Sequence, residues 1–309
     1  MASVTRMLSC WIRRSAPRPG IASRLSYLLF NGLNTRKCVA SSQSGTIPRL
    51  VDIGNSIKRD SVAMGDDAQP MLSIVIPAFN EAARIGNSLK KIHAFMQQSL
   101  LSFELIVVDD GSVDNTAEVV KQVQVKGLRL ISNEKNRGKG YSVRRGVFAA
   151  TGQYVLFTDA DLSTPIEEAE KLLDMARSQR ADVVIGSRAM DRKYIENHQT
   201  PVREFGGIFF NLMVRLFLGL RIHDTQCGFK VFHAQRSRRI FEEQTILGFG
   251  FDPELLFLAK RNGLKIRETP VRWSHAEGSK VRFLRDGLRM FFDLARIRWN
   301  AIAGKYPVG

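Results

Sequence analysis

The chain is poor in the residues that build cross-links and metal cages. Cys10, Cys38 and Cys227 are its three cysteines among 309 residues, with no CxxC spacing and no histidine cluster beside them. That argues against a disulfide framework and against a zinc site. Long apolar runs are also missing. A bilayer-spanning helix needs about 18 or more consecutive apolar residues, and the nearest candidate, Phe205–Leu220, is interrupted by Asn211 and Arg215. No GxGxxG follows the first predicted strand, which lowers the case for a dinucleotide enzyme. Asp and Glu are absent from residues 1–51, which hold eight basic residues and eight serines.

What is abundant is positive charge. The formal net charge is +16 and the pI is near 10.2. Such a balance points to a polyanionic partner: nucleic acid, anionic lipid or a phosphorylated substrate. No zinc-finger or aromatic RNA-binding signature accompanies the charge, so no nucleic-acid partner is expected. Residues 1–70 carry a net +6, and the remaining +10 belongs to residues 71–309. The first 70 residues show no clear period. They read either as a transit-like extension or as a start placed too early, with Met64 or Met71 the true first residue. A folded domain is expected over 71–309.

From residue 72 the pattern alternates. Continuous apolar runs at Leu72–Pro77, Phe103–Asp109, Leu128–Ser132, Tyr154–Asp159 and Asp182–Gly186 read as strands. Helical periods fall between them, over Glu81–Gln98, Asp114–Val125, Gly140–Ala150 and Pro165–Arg180. Strands apolar on both faces and separated by helices predict an α/β fold, a Rossmann-like, mostly parallel sheet covered by helices. Further on come an apolar helix over Val202–Leu220, a strand over Gly228–His233, a helix over Pro253–Asn262 and a strand over Lys265–Ser274. Pro270 puts that last strand near an edge. The C-terminal helix, Arg282–Ala303, is amphipathic. Leu284, Leu288, Phe291, Ala295, Trp299 and Ile302 form its apolar side, and five arginines occupy much of the rest. Its apolar side suits either packing on the core or lying in a membrane interface.

Two predicted strands end in paired acids, Asp109-Asp110 and, spaced i and i+2, Asp159 and Asp161. One such pair is as well explained by a turn or a helix cap. Two of them at the carboxyl edge of an α/β sheet favour a divalent cation and a diphosphate.

In order, the chain carries Pro77-Ala78-Phe79-Asn80-Glu81, Val108-Asp109-Asp110-Gly111-Ser112, Asn136-Arg137-Gly138-Lys139-Gly140, Asp159-Ala160-Asp161 and Gly186-Ser187-Arg188. This series resembles the inverting family-2 glycosyltransferases of GT-A fold. Two later segments, Asp224-Thr225-Gln226-Cys227-Gly228-Phe229-Lys230 and Trp273 through Lys280 (WSHAEGSK), resemble the dolichyl-phosphate β-glucosyltransferases in particular. The resemblance spans residues 72 to about 300 and implies transfer of glucose, with inversion, from UDP-glucose to a polyprenyl phosphate. It implies Mg²⁺ or Mn²⁺ held by Asp159 and Asp161, since hard cations take oxygen ligands. Arg188 and Lys280 join Asp161 as catalytic candidates, stabilising charge on the leaving diphosphate. Pro77, Phe79, Glu81, Asp109, Asp110, Arg137, Lys139 and Asp159 are the implied donor-binding residues, and Arg203 is placed near the acceptor phosphate. A phosphate acceptor is already anionic at neutral pH, so no general base is called for. His223, His233 and His275 are accordingly read as structural.

The sequence departs from its relatives in places. Ser163 stands where some mannosyl-transferring relatives have a glutamine near the metal, and neither the N-terminal membrane helix of the eukaryotic glucosyltransferases nor a C-terminal transmembrane hairpin is legible. Membrane contact is therefore expected to be peripheral, on the cytoplasmic face. GDP-mannose as donor is the alternative within the same chemistry. Transfer to a glycan hydroxyl is a further one, and would require a base, with Asp252 and Glu254 the first candidates.

Overall fold

The computed structural model describes residues 69–99, 101–197, 201–275 and 283–307, all within one unit, Ala63–Gly309. The proposed N-terminal extension and Lys280 lie outside the described residues.

The first half is a regular alternation. In order it runs β1 (Leu72–Ala78), α1 (Ile85–Gln98), β2 (Phe103–Asp109), α2 (Thr116–Gln122), β3 (Leu128–Ser132), α3 (Lys139–Ala149), β4 (Tyr154–Thr158), α4 (Glu168–Ser178) and β5 (Val183–Ser187). A short 3₁₀ turn leads to β6 (Ile195–Asn197) and α5 (Pro201–Leu218). Next come β7 (Phe229–His233), α6 (Ala234–Glu243), α7 (Phe251–Arg261), β8 (Ile266–Pro270), β9 (Trp273–Ser274) and α8 (Phe283–Ile302).

Seven strands form one sheet in the order β3-β2-β1-β4-β7-β5-β8, and β6 pairs with β9 apart from it. Along β1, Ile74 and Ile76 enter one core cluster while Val75 enters the other, because successive side chains point to opposite faces. Both faces are thus buried, as the unbroken apolar runs predict. The exception to parallel order is β7, antiparallel to both β4 and β5. The chain reaches it from the carboxyl edge after α5, so Thr158 pairs with Phe229 and the segment just before β7 lies beside the end of β4.

Other differences from the sequence expectation have local causes. The strand expected over Lys265–Ser274 is split after Pro270 into β8 and β9, and β8 is an edge strand, where a proline is tolerated. Helix α6 was not expected, because its amphipathic face is carried by little more than Ile240 and Phe241. His233 accepts from the Arg236 N–H at its start, and Arg238–Glu242 and Arg239–Glu243 pairs run along its surface.

The C-terminal helices are fastened by one carboxylate. Glu254, fully buried in α7, accepts hydrogen bonds from the backbone N–H groups of Thr245 and Ile246, the Thr245 hydroxyl and the Tyr306 phenol. Asn300 of α8 donates to Thr245 in turn. With its bonds spent this way, Glu254 is a structural hub rather than a base. Glu254→Ala strips several buried donors of their acceptor and is expected to lower stability by about 3 kcal/mol, measured by urea unfolding monitored through tryptophan fluorescence. A loss under about 1 kcal/mol would contradict this role.

Candidate active site

The sheet order places β1 between β2 and β4 with crossovers leading to opposite sides, so a crevice opens outside the carboxyl ends of these strands. A cleft of about 500 Å³ lies there. Pro77 lines it from the end of β1, Phe79 and Glu81 from the loop that follows, Asp110 from just beyond β2, and Asp159 and Asp161 from just beyond β4. Lys139 at the start of α3 and Arg285, Arg289 and Asp293 of α8 complete the wall.

The acids divide their tasks. Asp109 accepts from the hydroxyl and N–H of Ser112, and the Ser112 hydroxyl accepts from the Asn80 N–H, lacing the loops after β1 and β2 together. Asp110 accepts from the N–H groups of Arg137 and Gly138 and from the Asn133 amide. Asp110 therefore holds the glycine-flanked loop that leads into α3. Gly138 has φ +103°, and a Cβ there would meet the Leu247 carbonyl, so the loop admits glycine alone without rearrangement. The Arg137 guanidinium is exposed and stacks over Tyr141, 4.5 Å from the ring centre. It does not line the cleft. Glu81, buried, pairs with Arg84.

Asp159 and Asp161 face the cleft from the end of β4, with Asp286 and Asp293 of α8 also in its wall. Asp161 accepts from the Ser163 N–H at 2.9 Å. Asp159 is paired with Lys139 Nζ at 2.6 Å. Burial disfavours the charged form of Lys139, but Asp159 and Asp252 outweigh it and its pKa is raised. Directly against the Asp159 carboxylate lies Gly228, where a Cβ would overlap its oxygens. Below, Lys230 is 1% exposed and bonds Asp252 Oδ1 and the Cys227 carbonyl, both at 2.5 Å. Burial raises the pKa of Asp252 against the pull of Lys230 and Lys139, and pushes the Cys227 thiol up to about 11.

A second cavity, of about 460 Å³, is walled by α5 residues Ile208, Asn211, Leu212 and Arg215, and by Arg188, Asp224 and Trp273. Arg188 belongs here rather than in the cleft. Its guanidinium forms a two-pronged pair with Asp224, at 2.6 and 2.9 Å, and lies 5.4 Å from the Trp273 ring centre. Burial opposes both charges, yet each holds the other ionised: the Arg188 pKa is raised and that of Asp224 lowered. Gln226 lines this cavity and Met290 lines the cleft, and the two touch, with Nε2 3.9 Å from the sulfur. Arg203 sits in the first turn of α5.

Gly228, Lys230, Asp224 and Trp273 were not singled out as site residues by sequence reasoning. All four lie in the two C-terminal motifs, which were the available signal.

As for a metal, no group of three or more His, Cys, Asp or Glu able to hold one occurs among the described residues. Two carboxylates alone suit a hard cation whose remaining ligands come from a diphosphate and water, the mode usual for Mg²⁺. Asp159 and Asp161 fit that requirement.

Residues 73–243 match the sequence profile of Glycosyl transferase family 2, and the chain belongs to that family. It is 35% identical over 247 residues to a dolichyl-phosphate beta-glucosyltransferase of Trichomonas vaginalis, covering 76% of this chain and 73% of that protein. It is likewise 35% identical over 261 residues to the dolichyl-phosphate beta-glucosyltransferase of Saccharomyces cerevisiae, covering 78% of each. In fold it is similar to glucosyl-3-phosphoglycerate synthase from Mycobacterium tuberculosis, solved with Mn²⁺, UDP-glucose and phosphoglyceric acid. That likeness has a TM-score of 0.56 at 20% identity, covering 76% of this chain and 80% of that one. The fold is that of the GT-A glycosyltransferases.

Gly228→Ala forces the Asp159 carboxylate aside without touching the core. It is expected to weaken Mn²⁺–UDP binding about tenfold or more while the melting temperature stays close to wild type, as read by calorimetry on the same samples. Unchanged binding would mean that Asp159 does not have to sit where it does.

Proposed function

We propose that the chain transfers glucose from UDP-glucose to a polyprenyl phosphate of the dolichyl type, inverting the anomeric carbon. The observation that carries this is the pairing of two adjoining cavities. One is lined by carboxylates and basic groups at a strand switch point; the other sets Ile208, Leu212 and Trp273 beside Arg188, which Asp224 holds in place. A nucleotide diphosphate suits the first, and a phosphate on a hydrocarbon chain suits the second. The names of the relatives support the same donor sugar and acceptor.

In this reading Pro77, Phe79 and Glu81 receive the nucleoside end, and Asp109 and Asp110 act mainly by shaping that wall. A divalent cation, Mg²⁺ or Mn²⁺, on Asp159 and Asp161 supplies charge neutralisation at the diphosphate; Mn²⁺ and UDP-glucose are named together with the similar synthase. Lys139 and, by the family resemblance, Lys280 add positive charge on the leaving side. Arg188, held in orientation by Asp224, and Arg203 receive the acceptor phosphate. One acceptor oxygen attacks C1 of the glucose as the bond from C1 to the UDP oxygen breaks, and the electron pair of that bond leaves with UDP. The acceptor is anionic from the start, so no side chain has to remove a proton. Asp252, tied to Lys230, and Glu254, tied to Thr245 and Tyr306, are poorly placed to serve as bases, which disfavours a hydroxyl acceptor.

The acceptor also calls for a lipid surface. No helix among the described residues is long and apolar enough to cross a membrane. Helix α5 buries Phe210, Val214 and Leu218 but turns Phe205, Ile208, Phe209, Leu212 and Leu216 outward. Helix α8 likewise exposes Leu288, Phe292, Trp299 and Ile302. The two outer stripes are joined by ring contacts from Phe217 to Phe291 and from Phe291 to Phe292. Exposed Arg296 and Arg298 lie on α8 beside this stripe, while the exposed Arg285 and Arg289 border the cleft. This face suits peripheral binding to an anionic membrane, each basic residue near the surface adding about 1 kcal/mol.

The direct test is transfer of labelled sugar from UDP-glucose, and separately from GDP-mannose, to a short polyprenyl phosphate. Glucolipid from UDP-glucose that disappears with EDTA and with Asp161→Ala is the expected outcome; mannolipid instead would reassign the donor. Arg203→Ala should raise KM for the lipid phosphate about tenfold or more with little change for UDP-glucose, and equal effects on both would remove it from the acceptor site. Phe292→Ser combined with Trp299→Ser should cut flotation with phosphatidylserine-containing vesicles by about tenfold. Flotation equal to wild type would rule out the α8 stripe as the contact.

A further inference from the structure

Two lysines share the ring of Phe157, Lys139 at 5.3 Å and Lys230 at 5.5 Å from its centre. Their situations differ in a way that bears on function. Lys230 is sealed in, bonded to Asp252 and the Cys227 carbonyl, and cannot leave without stranding a buried carboxylate. Lys139 lies at the cleft wall, its side chain 22% exposed and that of its partner Asp159 34% exposed. Among the described residues Asp159 is its one polar partner. The backbone around it is held by Asp110 at Gly138 and by the Tyr141 N–H to the Leu247 carbonyl. Only the long side chain is therefore free to move.

Asp159 is thereby committed twice. The carboxylate assigned to a divalent cation already carries an ammonium at hydrogen-bond distance. Two cations on one carboxylate repel, and the repulsion is stronger in a partly buried site than in water. An arriving nucleotide diphosphate changes the balance, because it supplies oxygens for the displaced ammonium. Lys139 also opens α3, and a basic first turn runs against the helix dipole unless an anion binds there.

We propose that Lys139 is a displaceable counter-ion. It neutralises Asp159 while the cleft is empty, and it passes to the donor's diphosphate when nucleotide and divalent cation enter together, leaving Asp159 to the cation. No bond is made or broken in this exchange. It rests on the reading of the cleft as the donor site. Its consequence is coupling: the metal alone competes with Lys139 and binds weakly, whereas nucleotide removes the competitor, and each ligand strengthens the other to the same degree.

The test uses the full chain and measures binding, not turnover. Free Mn²⁺ is followed by electron paramagnetic resonance in titrations with and without UDP, for wild type, Lys139→Met, Lys139→Gln and Lys139→Arg. Loss of the charge in the Met and Gln variants should tighten binding of Mn²⁺ alone by about tenfold and weaken UDP binding by a similar factor. The Arg variant, still cationic, should stay within about threefold of wild type for Mn²⁺ alone. A residue that merely supported the fold would not raise metal affinity. Mn²⁺ binding that is unchanged or weaker in whichever neutral variant retains the wild-type circular dichroism spectrum overturns the proposal. So do UDP and Mn²⁺ that bind wild type independently of each other, whatever the variants do. Wild type that binds neither ligand overturns instead the reading of the cleft as a donor site.

Discussion

Everything in the site turns on where one carboxylate can be put. Asp159 leaves the end of β4 into a crowded space, with the ammonium of Lys139 on one side and the backbone of Gly228 on another. A side chain at residue 228 would evict it, and without a cation beside it its charge would face Asp161 and Asp252 uncompensated. The antiparallel insertion of β7 is what brings Gly228 there, since pairing Thr158 with Phe229 aligns the entry to β7 with the exit from β4. An irregularity in sheet order thus becomes the means of building a binding site. Beneath it, the Lys230–Asp252 pair is costly to bury and adds little net stability for that cost. Its place beside the end of β4 gives it a part in fixing the charge pattern there rather than in holding the fold.

Helix α8 ties chemistry to surface. One side of it, through Arg285, Arg289, Met290 and Asp293, walls the cleft outside β1, β2 and β4. Another side offers Leu288, Phe292, Trp299 and Ile302 to the exterior. The inner stripe of Met290, Leu294 and Ile297 packs on the core, and the Glu254–Tyr306 bond secures the segment beyond the helix. A helix held this way cannot bind a lipid surface without orienting the cleft relative to it. An acceptor that is charged at one end and hydrocarbon at the other requires such an arrangement, because its phosphate must reach C1 of a water-soluble donor while its chain stays in apolar surroundings.

Much of this was legible in the sequence, for identifiable reasons. Strands buried on both faces appear as unbroken apolar runs, so β2 and β3 were located to the residue and β1, β4 and β5 within one residue at each end. Asp159 and Asp161 stood out in the sequence as a second acidic strand end after Asp109-Asp110, and both line the cleft. Pairings across distant sequence were not. Nothing near Arg188 announces Asp224, 36 residues on, and the motif containing Asp224 could be noticed without its purpose being evident. The direction of β7 was hidden as well, since a short buried strand has the same apolar run whichever way it points. Helix α6 was lost because arginines and glutamates dominate it, and its stabilising pairs become visible only once a helix is assumed. The exposed stripe of α5 was obscured by the opposite problem, as that helix is apolar on nearly every side.

The most direct measurement is a crystal structure of the protein with UDP and Mn²⁺, using the manganese anomalous signal to locate the metal. The account predicts a single Mn²⁺ between Asp159 and Asp161, the diphosphate over the start of α3, and Lys139 turned from Asp159 to a phosphate oxygen. A metal held elsewhere, or a nucleotide outside the cleft, would contradict the assignment of the site. Metal and nucleotide in place with Lys139 still on Asp159 would leave that assignment standing and contradict the exchange.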